Sequence, residues 1–167
     1  MTTVTTSSQK ANVTLPADEQ ILITRGFEAP KDLVYKAFTT PELVKGWWAG
    51  KRGEVTHVEV DLRVGGHWRY VMTAEGGFVV GFHGEYREIV PHERMVSTEV
   101  FEGMPDASSL NTLTLTEVDG RTTMEVLVEH ESQGHRDGHI NSGMEGGMQE
   151  AMDQLEQVAI DLAEQRA

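Results

Sequence analysis

The stretch from Ser142 to Ala163, SGMEGGMQEAMDQLEQVAIDLA, decides the fold. At about 100° per residue, Met144, Met148, Ala151, Met152, Leu155, Val158, Ala159 and Leu162 fall on one stripe. Glu150, Asp153, Glu156, Gln157, Asp161 and Glu164 lie mostly opposite or flank it. The spacing predicts an amphipathic helix over residues 143–163 that must cover an apolar surface. Ser142 and Glu145 have the spacing of a capping box, in which each side chain takes up an orphan backbone donor of the first turn. Such a helix rises about 30 Å, enough to cross a small domain.

The residues before it supply the surface. Residues 1–19 are rich in Thr and Ser and read as a mobile arm, with an edge strand as the alternative for part of it. Residues 20–167 read as one domain. Gln20 to Phe27 is rich in β-branched residues and predicts a strand. Pro30 then suits a first helical position, with Leu33, Val34, Ala37 and Phe38 on one face, and Thr40-Pro41 restarts a second short helix. Trp47 and Trp48 follow, either as a core plug or with one of them lining a binding site. From Glu54 to Glu131 the chain reads as six antiparallel strands separated by turn residues. Gly81 and Gly84 mark a bend or a close backbone approach. Asp119-Gly120 is a hairpin signal, since both residues tolerate the positive φ of a type I′ turn.

Strands bracketed by helices argue an α+β fold. About seven strands form a curved antiparallel sheet, with two short helices after the first strand and a long C-terminal helix across the concave face. A straight helix cannot touch a twisted sheet everywhere, so a cleft is expected beneath it. Gly147, at the flank of the stripe, either lets the helix pack closer or leaves room for a guest.

Composition narrows the function. With 14 Lys and Arg against 27 Asp and Glu, the formal charge is −13, and no basic patch is present to pair with phosphates. Nucleic acid and anionic membranes are therefore not expected partners. Cysteine is absent, which excludes thiol chemistry and disulfides. No run of about 18 apolar residues and no signal-like start is found, so a cytoplasmic location without membrane insertion is expected.

Candidate site residues are those whose alternation turns them toward the cleft: Trp47, Trp68, Tyr70, Met72, Phe82, Tyr86, Leu113, Met124, Val126, His130, Met144, Met148 and Met152. The methionines read either as gap filler or as the lining of an adaptable apolar pocket, and the aromatic side chains favour the pocket. Tyr70 and His130 are the candidate polar contacts. His135 and His139 are four residues apart, but Arg136 stands where a metalloprotease motif has its Glu. Projected on the final helix, both histidines point to solvent, so no metal and no cofactor is expected. No catalytic set emerges.

Four phrases in this order resemble a known family: FEAPKDLVYKAFTTPELVKGWW at 27–48, VDLRVGGHWRYVM at 60–72, GFHGEYREIVPHERMVST at 81–98 and SGMEGGMQEAMDQLEQVA at 142–159. Together, over about Ile21 to Leu162, they resemble the START-like superfamily, also called the SRPBCC or Bet v 1-like group. The branch is the one named after the carboxy-terminal domain of the activator of Hsp90 ATPase. The resemblance implies a helix-grip fold and a cavity under the long helix that takes an apolar molecule such as a sterol, lipid or polyketide, in a monomer or homodimer. It also implies two alternatives, a chaperone-regulating interaction module and a cyclase or hydrolase using the same cavity; fold likeness alone does not choose among them. A buried, partnered His or Glu in the pocket would favour the enzyme. A large exposed apolar patch would favour the module.

Overall fold

Alternation of period two dictates most of the chain, because each strand must bury one face and wet the other. The computed structural model describes residues 10–166. Its elements in order are β1 (Asn12–Thr14), β2 (Gln20–Phe27), α1 (Lys31–Thr39), α2 (Pro41–Val44), β3 (Gly53–Val60), β4 (His67–Ala74), β5 (Val79–Val90), β6 (Arg94–Phe101), β7 (Ser108–Val118), β8 (Arg121–His130), α3 (Gln133–Asn141) and α4 (Met144–Arg166). All strands belong to one antiparallel sheet of order β1-β2-β8-β7-β6-β5-β4-β3. The sheet closes on β8 by the two-residue turn Asp119-Gly120, with φ of 53° and 76°. Register shifts in β3 between Val55 and His57 and in β5 between Tyr86 and Glu88 bend the sheet into its curve.

The α+β helix-grip architecture is as expected, with eight strands in place of about seven. The extra strand is β1, within the stretch expected as a mobile arm; residues 1–9 of that stretch lie outside the described residues. β1 is held by a reciprocal amide pair, in which Ala11 N–H donates to Gln149 Oε1 and Gln149 Nε2 donates to Ala11 O, both at 2.9 Å. Ala11 is buried with Ile21, Ile23 and Val128. This tie depends on a residue 138 positions away, so local composition carries no trace of it.

α3 was not expected as a separate helix. Ser132 caps it by accepting from His135 N–H at 3.1 Å. At its other end Ser142 Oγ donates to His139 O at 2.6 Å, and Gly143, at φ 82°, turns the chain into α4. The expected capping box is therefore not what Ser142 does; it closes α3.

The main core lies where α4, α1 and α2 meet the sheet. Leu155 and Ala159 are fully buried, together with Val34, Ala37, Val44 and Met124. Each large apolar side chain buried in this way contributes about 1.5–3 kcal/mol. Trp47 is a core plug: its indole N–H donates to Ala37 O at 2.9 Å and its ring stacks on Phe38 at 5.2 Å.

Candidate functional site

The registers place side chains on the concave face row by row. Val60 pairs with Trp68, and Trp68 with Gly84. The pairs His83–Val100 and Tyr86–Ser97 set Glu99 opposite Gly84, and Glu99 pairs with Ser109, which pairs with His130. One row thus runs Trp68, Gly84, Glu99, Ser109, His130. A parallel row holds Tyr70, Phe82 and Phe101, and the row on the other side holds Tyr86, Ser97, Asn111 and Val128.

Gly84 makes the first row possible. A Cβ there would meet Thr98 O at 1.8 Å and Trp68 Nε1 at 2.6 Å. Without one, the indole of Trp68 lies across β5 and donates to Thr98 O at 3.2 Å. Trp68 then meets Tyr70 at 5.0 Å, Trp48 stands edge-on to Tyr70 at 5.5 Å and to Phe82 at 5.7 Å, and Phe82 meets Phe101 at 5.1 Å. These five rings form a continuous aromatic wall.

Beside the wall is a polar chain. Ser109 Oγ donates to Asn111 Oδ1 at 3.1 Å, and Asn111 Nδ2 donates to Glu99 Oε2 at 2.6 Å. Burial pushes the Glu99 carboxyl up, with the Asn111 amide opposing the shift. The Tyr70 hydroxyl is pushed up by burial, then by Tyr86 and by Glu99, which places Glu99 within electrostatic reach of the wall. Tyr86 is likewise raised by burial. At the end of the row His130 Nε2 and His139 Nδ1 share a hydrogen bond at 3.0 Å. Burial, followed by His139, His135 and Arg136, lowers His130 to about 4, and burial lowers His139 as well. Both rings are therefore neutral near pH 7, one donating and the other accepting.

The expected site residues divide. Trp68, Tyr70, Met72, Phe82, Tyr86, Leu113, Met124, Val126 and His130 all have the inward parity that alternation gave them. Trp68, Tyr70, Tyr86, Leu113, Met124 and Met152 are all buried in the main core between the sheet and α4, with Trp68 and Tyr70 at 8% and 7% exposure. Met144 and Met148 pack over the β1, β2 and β8 corner against Ile21, Ile23 and Val128, and Met148 also touches the main core. Trp47 is buried in the same core, and its neighbour Trp48, partly buried, meets Tyr70 and Phe82.

Two surface depressions lie elsewhere. One of about 260 Å³ is lined by α1 residues with His92 and Arg166, and another of about 500 Å³ lies by the β7–β8 turn. Neither includes an expected site residue. The inward residues Phe82, Ser97, Glu99, Asn111, His130 and Met148 are only partly buried.

Sequence reasoning missed Glu99, Asn111, Ser109 and His139. Parity held the signal for the first two, since Glu99 alternates with Met95 and Phe101, and Asn111 with Leu113 and Leu115. His139 corrects an expectation: it faces β8, not solvent, because α3 is a separate helix with its own orientation. Among the described residues no group of three His, Cys, Asp or Glu side chains stands ready for a metal.

Gly147 and Gly146 are also resolved. The side chain of Arg52 occupies the space above them, 3.6 Å from a Cβ built at Gly147, and pairs with Glu150 at 3.3 Å. Gly50, at φ 57°, is pressed against the same turn, with a built Cβ 2.9 Å from Glu150. The guest of these glycines is this chain's own loop.

Glu156 corrects another expectation. It is 3% exposed, where the helical projection put it on the polar side. The cause is Arg25, 1% exposed on the concave face of β2, whose guanidinium reaches Asp153 at 2.7 Å and Glu156 at 3.5 Å. Among the described strands Arg25 is the only Lys or Arg with inward parity, and these two carboxylates claim it.

The family model described as Activator of Hsp90 ATPase homolog 1-like protein matches residues 28–159. Among solved structures, a protein from Rhodobacter sphaeroides is 25% identical, with 92% of this chain and 98% of that one covered at a TM-score of 0.83. A protein from Nitrosomonas europaea is 25% identical over 89% and 99% of the two chains, with a TM-score of 0.80. An AHSA1-like protein from Aeromonas hydrophila, 19% identical over 85% and 94%, shares the fold at a TM-score of 0.65. No curated protein matches the chain. Among the described residues no helix is long and apolar enough to cross a membrane.

Proposed function

The chain belongs to the Activator of Hsp90 ATPase homolog 1-like family, and from that premise we propose that it binds a hydrophobic small molecule in the groove between the concave sheet and the first turns of α4. The observation that carries this reading is the combination on one face of an aromatic wall, Trp48, Trp68, Tyr70, Phe82 and Phe101, with a hydrogen-bonded polar row that stays partly open. Apolar walls supply affinity by burial and a few convergent polar groups fix orientation. The test is native mass spectrometry of protein purified from its own source, followed by thermal-shift titration with sterols, fatty alcohols and polyphenols. A co-purified apolar molecule, or a saturable shift lost in Trp68→Ala, is expected. A protein that is always empty and never shifts would refute the reading.

A second reading has its own support. Glu99 with its raised carboxyl and His130 with a neutral ring share one face two strands apart, about 10 Å between backbones. Two titratable groups pushed in opposite directions across a groove suit general acid–base chemistry. A bound molecule released chemically altered, with the change lost in both Glu99→Gln and His130→Gln, would favour catalysis over carriage.

The family description also names a chaperone activator. The surface such a role would use is the exposed apolar end of the sheet, Phe78, Val79, Phe101 and Met104.

A further inference from the structure

We propose that the groove recognises the ammonium end of an amphiphilic or aromatic amine, with Glu99 as the counter-charge and the rings of Trp68, Tyr70 and Phe82 as the surfaces beside it. This rests on the groove being a binding site and specifies what it binds.

Four observations converge. First, Glu99 keeps acceptor capacity. The ionised carboxylate, which burial disfavours and an adjoining ammonium would restore, has about four lone-pair sites, and within the protein its one hydrogen bond among the described residues is from Asn111 Nδ2. Second, no cation among the described residues claims it. The groups that shift Glu99 are burial and the Asn111 amide alone, Arg25 is held by Asp153 and Glu156, and Arg52 is paired with Glu150. Third, the neighbours are aromatic: Glu99 stands in the row of Trp68, one row from Tyr70, Phe82 and Phe101, of which Phe82 and Phe101 keep open surface while Trp68 and Tyr70 back them from the core. An ammonium gains from such rings as well as from the carboxylate, and more so where water is thinned out. Fourth, among the described strands the one inward-facing Lys or Arg is Arg25, already claimed by Asp153 and Glu156, so none is left for an anionic head, while His130 and His139 are neutral and bonded to each other. Fatty acids, phosphates and sulfates are thereby disfavoured. A neutral alcohol could bond to Glu99 but would leave the charge logic unused.

The probes are decylamine, 1-decanol and decanoate, which share one apolar tail, titrated calorimetrically at pH 7 into the full chain and its Glu99→Gln form. Glu102→Gln serves as the control for loss of one negative charge, because Glu102 bonds to Arg69 and His83 on the convex face. Decylamine is expected to bind at least about tenfold tighter than 1-decanol, and decanoate weakest of the three. Glu99→Gln should cost decylamine at least about tenfold and leave 1-decanol within about threefold, with Glu102→Gln changing neither. If 1-decanol binds but decylamine binds no tighter, or is indifferent to Glu99→Gln, the groove stands and the charge assignment is overturned. If none of the three binds a protein whose near-ultraviolet spectrum is native, the groove is not a binding site and this inference falls with it.

Discussion

Replacing Arg25 by methionine strands Glu156. The guanidinium is the central charge of a buried arrangement: its side chain is 0% exposed, that of Glu156 4%, and that of Asp153 63%. Asp153 loses little, since water replaces Arg25 at once. Glu156 keeps only the donation from Glu28 N–H to its Oε2 at 2.9 Å. A carboxylate left without its cation can always take up a proton, and for an ordinary glutamic acid near pH 7 that costs about 3.7 kcal/mol. This sets the ceiling on the electrostatic part. Loss of the Arg25 hydrogen bond to Gly26 O adds about 1 kcal/mol. Relief of the buried Arg25 Nε, which has no partner among the described residues, works the other way. The net expectation for Arg25→Met is about 3–4 kcal/mol of lost stability near pH 7, in the range found when one partner of a buried pair is removed. The further change Glu156→Gln in the Arg25→Met background should recover at least about 2 kcal/mol, since the amide oxygen still accepts from Glu28 and no charge is buried. Urea unfolding followed by tryptophan fluorescence near pH 7 reads both changes. A loss below about 1 kcal/mol, or one unrelieved by Glu156→Gln, would refute the reasoning.

Gly84→Ala should cost about 3 kcal/mol, because the added methyl collides with Thr98 O and breaks the Trp68 bond to it; a calorimetric Tm within a degree of the parent would count against the row geometry. Gly147→Ala should instead stabilise α4 by about 0.5–1 kcal/mol, since its Cβ would meet Arg52 only at ordinary contact distance, and a loss of stability on thermal unfolding would contradict this. Met148→Trp should fill the groove next to Val128 and abolish 1-decanol binding while the far-ultraviolet spectrum stays native; unchanged binding would move the site elsewhere. His130 is neutral in the fold down to about 4, whereas the unfolded chain takes up its proton near 6.5. Stability from this group is therefore full above pH 6.5 and declines as pH falls from there to about 4, by on the order of 1 kcal/mol after allowing for partial exposure. A His130→Gln variant whose Tm falls as steeply over that interval would rule His130 out as the cause.

Much of the fold was legible because it rests on local period. The strands from β2 onward, the helix pair and α4 follow from alternation, proline placement and the apolar stripe, none of which needs a distant partner. What escaped depends on contacts made at long range. β1 is three residues whose hold is the Gln149 amide. Glu156 sits one residue from Leu155 at the margin of the stripe, and whether such a margin is wet or buried is decided by what flanks the helix, here Arg25 from β2. His139 was projected on the wrong axis because Gly143 separates two helices.

The groove was half legible for a related reason. Searching for apolar side chains of one parity found the aromatic wall but passed over Glu99 and Asn111, since a polar residue in a strand is ordinarily assigned to solvent. Yet Met95, Ser97, Glu99 and Phe101 have one parity, and Met95 is buried in the core, so Glu99 could not have faced the convex side without turning Met95 out. The final helix looked like the place where specificity would be found. Its C-terminal half is committed to α1 and α2, its glycines to Arg52 and its first methionines to the β1–β2–β8 corner. The polar groups that would meet a ligand in the proposed groove, Glu99 and Asn111, are on strands β6 and β7. Substitutions on α4 should therefore change how much apolar bulk the groove admits, and substitutions at Glu99 or Asn111 should change which head group it prefers.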